Sequence, residues 1–235
     1  MSHIVFIVQG SHFSSSFMIC WTSLVEYCKN NNIQFVYAFL NEKGVYSLNN
    51  VLGGNLLGDK NQSLFNNKFE YNKIIFIDSN ILFTIDDVKT IIEHDGDVVT
   101  GLYLGEDSKK FQCADVMNDN LYKKTGSYKM MNTEDIIELI QTDTNEFVVE
   151  YTELNFLAIK KGVFEKIGYP WFSNEMQIEG KNGYYHWNIC FCKKLKEHGI
   201  NIHVLMNILF SKEKLVPLTN NELGTFLSTR INKEK

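Results

Sequence analysis

The sequence predicts an α/β protein built on a mainly parallel sheet flanked by helices. Three features predict it. Short apolar runs alternate with helical stretches along the first hundred residues. The runs Ile4-Val-Phe-Ile-Val8 and Ile74-Ile-Phe-Ile77 are apolar on both faces, as strands buried under helices must be. Each run ends abruptly in polar residues, Gln9-Gly10-Ser11-His12 after the first and Asp78-Ser79-Asn80 after the second.

The elements follow in order. After strand 4–8, Ser14 to Ser16 can cap a helix through Phe17, Trp21, Leu24, Val25 and Cys28, which Asn30-Asn31-Asn32 ends. Residues 34–40 read as a second strand. Residues 45–57 read as a helix stopped by Gly53, Gly54 and Gly58. The third strand is 73–77. Thr84 and Asp87 then open a helix whose Val88, Ile91 and Ile92 face inward, and 98–103 is the next strand. This β-α-β-α-β-α-β order implies helices packed over a largely parallel sheet. Residues 104–145 are polar and irregular apart from a helix at 133–141, as expected of an insertion. Strands at 146–151 and 154–160 follow, then a short helix at 162–168 and an aromatic turn from Tyr169 to Phe172. A helix at 183–198 and late strands at 202–205 and 208–210 complete the pattern.

A chain of 235 residues with 44% hydrophobic residues can bury a sizeable core as one domain. A net charge of -5 argues against a nucleic-acid binder, and Lys193, Lys194 and Lys196 read as the wet side of a helix. The five cysteines have no disulfide-scaffold or zinc-site spacing and read as buried thiols of a reducing compartment. The sequence shows no leader-like n-region and no apolar stretch of membrane length, so a cytoplasmic protein is expected. No Gly-rich phosphate fingerprint follows the first strand, which disfavours other nucleotide-binding α/β folds.

In a parallel sheet, ligands collect at the carboxyl ends of strands. Asp78, Ser79 and Asn80, with Gln9 and Gly10, stand there. Asp78-Ser79-Asn80 resembles the Asp-X-Asp motif of GT-A-fold glycosyltransferases, which holds a divalent cation against the diphosphate of a nucleotide-sugar. Other segments match in order. Val149-Glu-Tyr-Thr-Glu-Leu-Asn-Phe-Leu-Ala-Ile-Lys160, running on to Tyr169-Pro-Trp-Phe172, is similar to the acceptor side of phage and giant-virus (nucleocytoplasmic large DNA virus) members. His186-Trp187-Asn188-Ile-Cys-Phe-Cys192 takes the place of their helix with an acidic pair, and Phe210-Ser-Lys212-Glu-Lys214 that of a terminal Gly-His-X-Lys. Asn49 and Asn50 stand where an Arg-Asn pair is common.

The resemblance implies a Rossmann-like, mixed but mainly parallel sheet in one domain over 1–235. Its nucleotide-sugar half would span 1–103, with an insertion at 104–145 and an acceptor half at 146–215. It implies transfer from a UDP- or GDP-linked sugar to a glycan or glycoprotein acceptor, in the host cytoplasm if the chain is viral. The departures share a sign. Asn80 removes a carboxylate, Trp187 and Asn188 replace the acidic pair, and Lys212 brings an ammonium where a histidine is usual. An ammonium has no lone pair for Mn²⁺ or Mg²⁺, but it neutralises a diphosphate directly. The expectation is therefore a donor site for which the cation is dispensable. Gln9, Gly10, Asn49, Asn50, Asp78, Ser79, Asn80 and Lys212 would bind the donor, with Asp78 the metal ligand only if a metal is used. For catalysis, the position that usually supplies the base is Asn188, which cannot take a proton; His186 is the nearest titratable group, and Glu175 or Glu179 are alternatives. The aromatic residues Tyr184, Tyr185, Trp187, Trp171 and Phe172 could offer flat faces to a sugar or simply fill the core. The competing reading is a catalytically inactive GT-A domain that binds nucleotide-sugars or serves as a scaffold.

Overall fold

The computed structural model describes residues 3–214 except 56, 106 and 143. The ends of the expected 1–235 domain, including residue 215 of its acceptor half, lie outside the described residues. In chain order the elements are β1 (His3–Gln9), α1 (Ser15–Asn30), β2 (Phe35–Leu40), α2 (Val45–Val51), β3 (Tyr71–Asp78), β4 (Ile81–Leu82) and α3 (Ile85–Glu93). β5 (Val98–Leu102), β6 (Cys113–Ala114), α4 (Asp119–Thr125), α5 (Thr133–Ile140), β7 (Glu146–Val149), β8 (Tyr151–Thr152) and β9 (Phe156–Lys160) follow. α6 (Val163–Ile167), α7 (Trp187–Glu197), β10 (Ile202–Leu209) and β11 (Ser211–Lys212) complete the fold.

Seven strands form one sheet in the order β2-β1-β3-β9-β5-β10-β7. β2, β1 and β3 run parallel, as do β5 and β10; β9 runs antiparallel between β3 and β5, and β7 is an antiparallel edge on β10. This is the mixed α/β sheet expected, with five of its seven strands running in one direction.

The double-faced apolar runs explain the layering. Phe6, Val8, Ile75, Ile77 and Phe156 face α1 and α3, where they pack with Phe17, Trp21, Leu24, Val88 and Ile91. The alternate residues Val5, Ile7, Ile74, Phe76 and Leu157 face a second core with Leu48, Phe164, Phe172, Phe191 and Leu195. Period-two alternation sends successive side chains to opposite cores. The caps form as the sequence predicts: Ser14 accepts the Phe17 N–H at 3.0 Å, and Thr84 with Asp87 makes a capping box.

Several boundaries differ, each for a tertiary reason. α2 stops at Val51, because Gly53 adopts φ +90° and the chain turns back, with the Gly54 N–H donating to the Asn49 carbonyl. Residues 146–151 divide between two sheets, β7 on β10 and β8 on β6. α7 begins at Trp187, preceded by a small turn in which Gln177 bridges Tyr184. The late strands are one strand, β10, with a bulge between Leu205 and Leu209. α4 gave no sequence signal. Lys193 and Lys196 are not a free wet face: Lys193 pairs with Asp119 at 2.8 Å and lies over the Tyr185 ring, and Lys196 pairs with Glu150 at 2.6 Å. All five cysteines are free thiols.

Candidate functional site

The site grows from the ladder between β1 and β3, whose register sets Gln9 opposite Asp78 at the carboxyl end of both strands. The Ser79 N–H donates to the Gln9 carbonyl at 2.8 Å, so the two tips are joined where the polar loops begin. Gly10 is required there. Its φ is +152°, and a Cβ would overlap the Ser79 side chain. Gln9 is fully buried and donates from Nε2 to the Leu154 carbonyl at 3.1 Å, while its Oε1 has no partner.

Asp78 is 5% exposed. Its Oδ1 accepts the Asn80 N–H at 2.8 Å, and its Oδ2 is in contact with the ammonium of Lys43. Lys43 Nζ also donates to Asn155 Oδ1 at 2.9 Å, and Asn155 Nδ2 donates to Glu153 Oε2 at 2.8 Å. The Asp78 N–H donates to the Asn155 carbonyl at 2.6 Å, fixing the turn before β9 to the tip of β3. The result is a hydrogen-bonded chain, Asp78 to Lys43 to Asn155 to Glu153, with the neutral Asn155 between the ammonium and the second carboxylate. Burial pushes the Lys43 ammonium down, Glu153 pulls it up, Lys212 pushes it down again, and the balance falls at about 8. The Asp78 contact favours the charged form.

Lys212 arrives from the other end of the sequence. The bulge in β10 lets the chain cross β5 at Gly101, where a side chain would run into Ile208. Phe210 then bonds Leu102, and β11 pairs with β4 so that Lys212 lies opposite Ile81. The Glu213 N–H donates to the Asn80 carbonyl at 2.8 Å. Asn80 and Lys212 share the lining of a cavity of about 600 Å³ with Gly105 and Ser108. Lys43 and Lys212 therefore flank the Asp78–Asn80 turn within Coulombic reach of one another.

Beside Lys43 opens a smaller pocket of about 230 Å³, walled by Tyr151, Glu153, Leu154, Asn155, His186, Trp187 and Asn188. His186 caps α7, its Nδ1 accepting the Asn188 N–H at 3.4 Å. Asn188 is 4% exposed. Its Nδ2 donates to the Tyr151 hydroxyl at 3.3 Å and the Thr152 carbonyl at 3.0 Å, and its Oδ1 has no partner. Desolvation first, then Glu153, drives the Tyr151 phenol far above its usual range, so it stays protonated.

The structure thus brings together Gln9, Gly10, Asp78, Ser79, Asn80 and Lys212, with His186 and Asn188 in the adjoining pocket. It separates Asn49, Asn50 and Glu175, which line another cavity of about 260 Å³ between α2 and the 169–175 segment. Asn49 has a fold-building role: its Nδ2 donates to the Val45 and Phe172 carbonyls, both at 2.8 Å, and its Oδ1 accepts the Phe172 N–H at 3.2 Å. Glu179 pairs with Lys123 at 2.7 Å on the surface. Trp171 and Phe172 are core residues, while Tyr184 is exposed. Sequence reasoning missed Lys43, Glu153 and Asn155. Lys43 follows strand 34–40, so the strand-end rule that singled out Asp78 could have found it. Glu153 and Asn155 gave no signal, since only the antiparallel insertion of β9 beside β3 carries them to the site.

The GT-A resemblance implies a divalent cation at Asp78, and the donor set can be tested for it. Asp78 Oδ2 and Asn155 Oδ1 both face an ammonium, and among the described residues no three His, Cys, Asp or Glu side chains converge to hold a metal. These residues do not fit a divalent cation. A larger cavity of about 850 Å³ lies under the insertion, lined by Asp115, Met131, Leu139 and Phe147, and contains none of the strand-tip residues.

No protein-family model matches the chain, and no curated protein sequence does. Among solved structures, the chain is similar to the viral protein A197 from STIV, with a TM-score of 0.52 at 15% identity, over 92% of this chain and 86% of that one. A Drosophila β-1,4-galactosyltransferase 7 mutant in complex with manganese, UDP-Gal and xylobiose aligns at a TM-score of 0.45 and 11% identity, over 94% and 79% of the two chains. The 4-diphosphocytidyl-2C-methyl-D-erythritol synthase of Anaerococcus prevotii aligns at 0.39 and 8% identity, over 95% and 96%. The likeness to A197 is a likeness of fold. Among the described residues no helix is long and apolar enough to cross a membrane.

Proposed function

We propose that the chain is a glycosyltransferase that takes a UDP- or GDP-linked sugar and passes the sugar to a glycan or glycoprotein acceptor in the cytoplasm, without a divalent cation. The observation that carries this reading is the pair of lysines on either side of the Asp78–Asn80 turn, at the carboxyl ends of parallel strands. A diphosphate set there would meet the Lys43 and Lys212 ammonium groups. When the anomeric C–O bond breaks, its electron pair leaves on the diphosphate, and a preorganised ammonium in a partly buried cleft stabilises that developing charge. Asp78 orients Lys43, and Asn80 offers its amide to ribose or phosphate. The sugar would project toward the pocket at the start of α7, where His186 and Asn188 meet the acceptor. Release of UDP or GDP from the cognate sugar nucleotide in EDTA, abolished by Asp78→Ala, is the expected result.

The amides at 80 and 188, where the resemblance leads one to expect carboxylates, favour a second reading: a domain that binds nucleotide-sugars without turning them over. Binding without release under every metal and pH condition would establish it.

A further inference from the structure

Asn188 cannot take a proton, so an inverting transferase on this scaffold needs its base elsewhere. We propose that Glu153 is that base and that Asn188 holds the acceptor for it; this rests on the donor-site reading above. The pocket beside Lys43 contains two groups able to accept a proton, the Glu153 carboxylate and the His186 imidazole. His186 already uses Nδ1 to accept the Asn188 N–H in the first turn of α7, and its ring lies tilted against Trp187 with centroids 5.0 Å apart, which ties the ring to helix capping. Glu153 is held for chemistry. Asn155 fixes its Oε2 at 2.8 Å, and the Tyr103 hydroxyl donates to its carbonyl at 3.0 Å, so the turn is pinned on both sides. Oε1 is the oxygen left for a proton.

Asn188 supplies the independent pointer to a ligand. Its Nδ2 is locked by Tyr151 and Thr152, so Oδ1 is a fixed, buried acceptor without a donor in a wall of the same pocket. A buried acceptor left unpaired is unfavourable, and a sugar hydroxyl donating to it removes that cost. One hydroxyl of the acceptor donates to Asn188 Oδ1, which presents its neighbour to Glu153. The proton of the reacting hydroxyl passes to Glu153 Oε1. The electron pair left on oxygen forms the new bond to the anomeric carbon, and the pair of the breaking C–O bond leaves with the nucleoside diphosphate. Lys43, bonded to Asn155 and in Coulombic contact with Glu153, ties the base to the leaving-group side.

The test uses the full chain with UDP-glucose, UDP-galactose, UDP-N-acetylglucosamine and GDP-mannose, a panel of methyl glycosides as acceptors, and nucleotide release as readout. Glu153→Gln keeps the Asn155 bond and should lower kcat about 100-fold or more, the usual contribution of general-base catalysis, with the UDP or GDP Kd changed less than about threefold. Asn188→Ala should raise the acceptor KM, and His186→Gln should cost less than about tenfold in kcat. Turnover by Glu153→Gln within about threefold of wild type, or a 100-fold loss in His186→Gln instead, overturns the assignment and leaves the donor site standing. Wild-type protein that binds UDP or GDP yet releases none from the panel also counts against Glu153 alone. Failure of the wild type to bind either nucleotide removes the donor-site reading itself.

Discussion

At the scale of single residues, the site turns on Lys43. Its ammonium meets three acceptor groups of the same cleft, two by contact and one by charge: Asp78, Asn155 and Glu153. A charge-assisted hydrogen bond contributes about 1.5–3 kcal/mol, so Lys43→Gln should weaken UDP binding by roughly tenfold or more in calorimetry. The pH dependence follows in sign. The free protein's Lys43 is charged below about 8 and loses its proton above it, so affinity for the diphosphate should fall as pH rises from 7 to 9. The same fall should be absent in Lys43→Gln. Gly10 gives a second test, because any Cβ at φ +152° presses on Ser79. Gly10→Ala should move the tips of β1 and β3 and weaken UDP binding; unchanged affinity would show that the crevice is not where the donor sits. Asp78 was legible from sequence because an acid ending an apolar run is a local pattern. Glu153 was not, because its place depends on a strand pairing between residues far apart in the chain.

At the scale of elements, two devices hold the scaffold. Lys73, 6% exposed, reaches from the start of β3 to the last carbonyls of α3, donating to Ile91 at 2.9 Å, Ile92 at 2.8 Å and also to His94. It satisfies orphan carbonyls at the negative end of the helix. Lys73→Met should destabilise the fold by about 1–3 kcal/mol in chemical denaturation; a neutral result would mean that water serves those carbonyls equally well. The second device ties α4 and the β7–β8 junction to α7 through Lys193–Asp119 and Lys196–Glu150. Burial pushes both carboxyls up, but the bonds from Lys193 to Asp119, and from Lys196 and the Met117 N–H to Glu150, outweigh it and hold each below its usual 3.8 or 4.5. Because the folded values are the lower ones, the stabilisation is complete above the unfolded values and is lost as pH falls through the folded ones. Protection factors for amide exchange in residues 113–132, corrected for the intrinsic rate at each pH, should therefore fall near pH 3 relative to pH 6 well before those of the central sheet do. Helix caps such as Thr84 with Asp87 were readable because they are local. The division of 146–151 between β7 and β8 was not, since one apolar stretch serves two sheets.

At the scale of the whole molecule, topology assembles the site from pieces scattered over the sequence. Gln9, Lys43, Asp78, Glu153, Asn188 and Lys212 come from six elements or loops and meet on the carboxyl edge of one sheet. The fold class was legible because alternation of strand and helix, and strands apolar on both faces, are patterns a sequence must display to bury such a sheet. The pairing partner of each strand was not, and neither was the bulge in β10 that delivers Lys212 beside Asn80. The central claim is that protein ammonium groups, with Lys43 foremost, hold a sugar nucleotide's diphosphate at Asp78. Calorimetric titration of UDP and GDP into the wild type and Lys43→Gln, each in EDTA and in Mn²⁺, tests it most directly. The account predicts binding of one nucleotide that is equal in EDTA and Mn²⁺ and weakened about tenfold or more in Lys43→Gln. Binding that requires Mn²⁺ and is indifferent to Lys43 would contradict it.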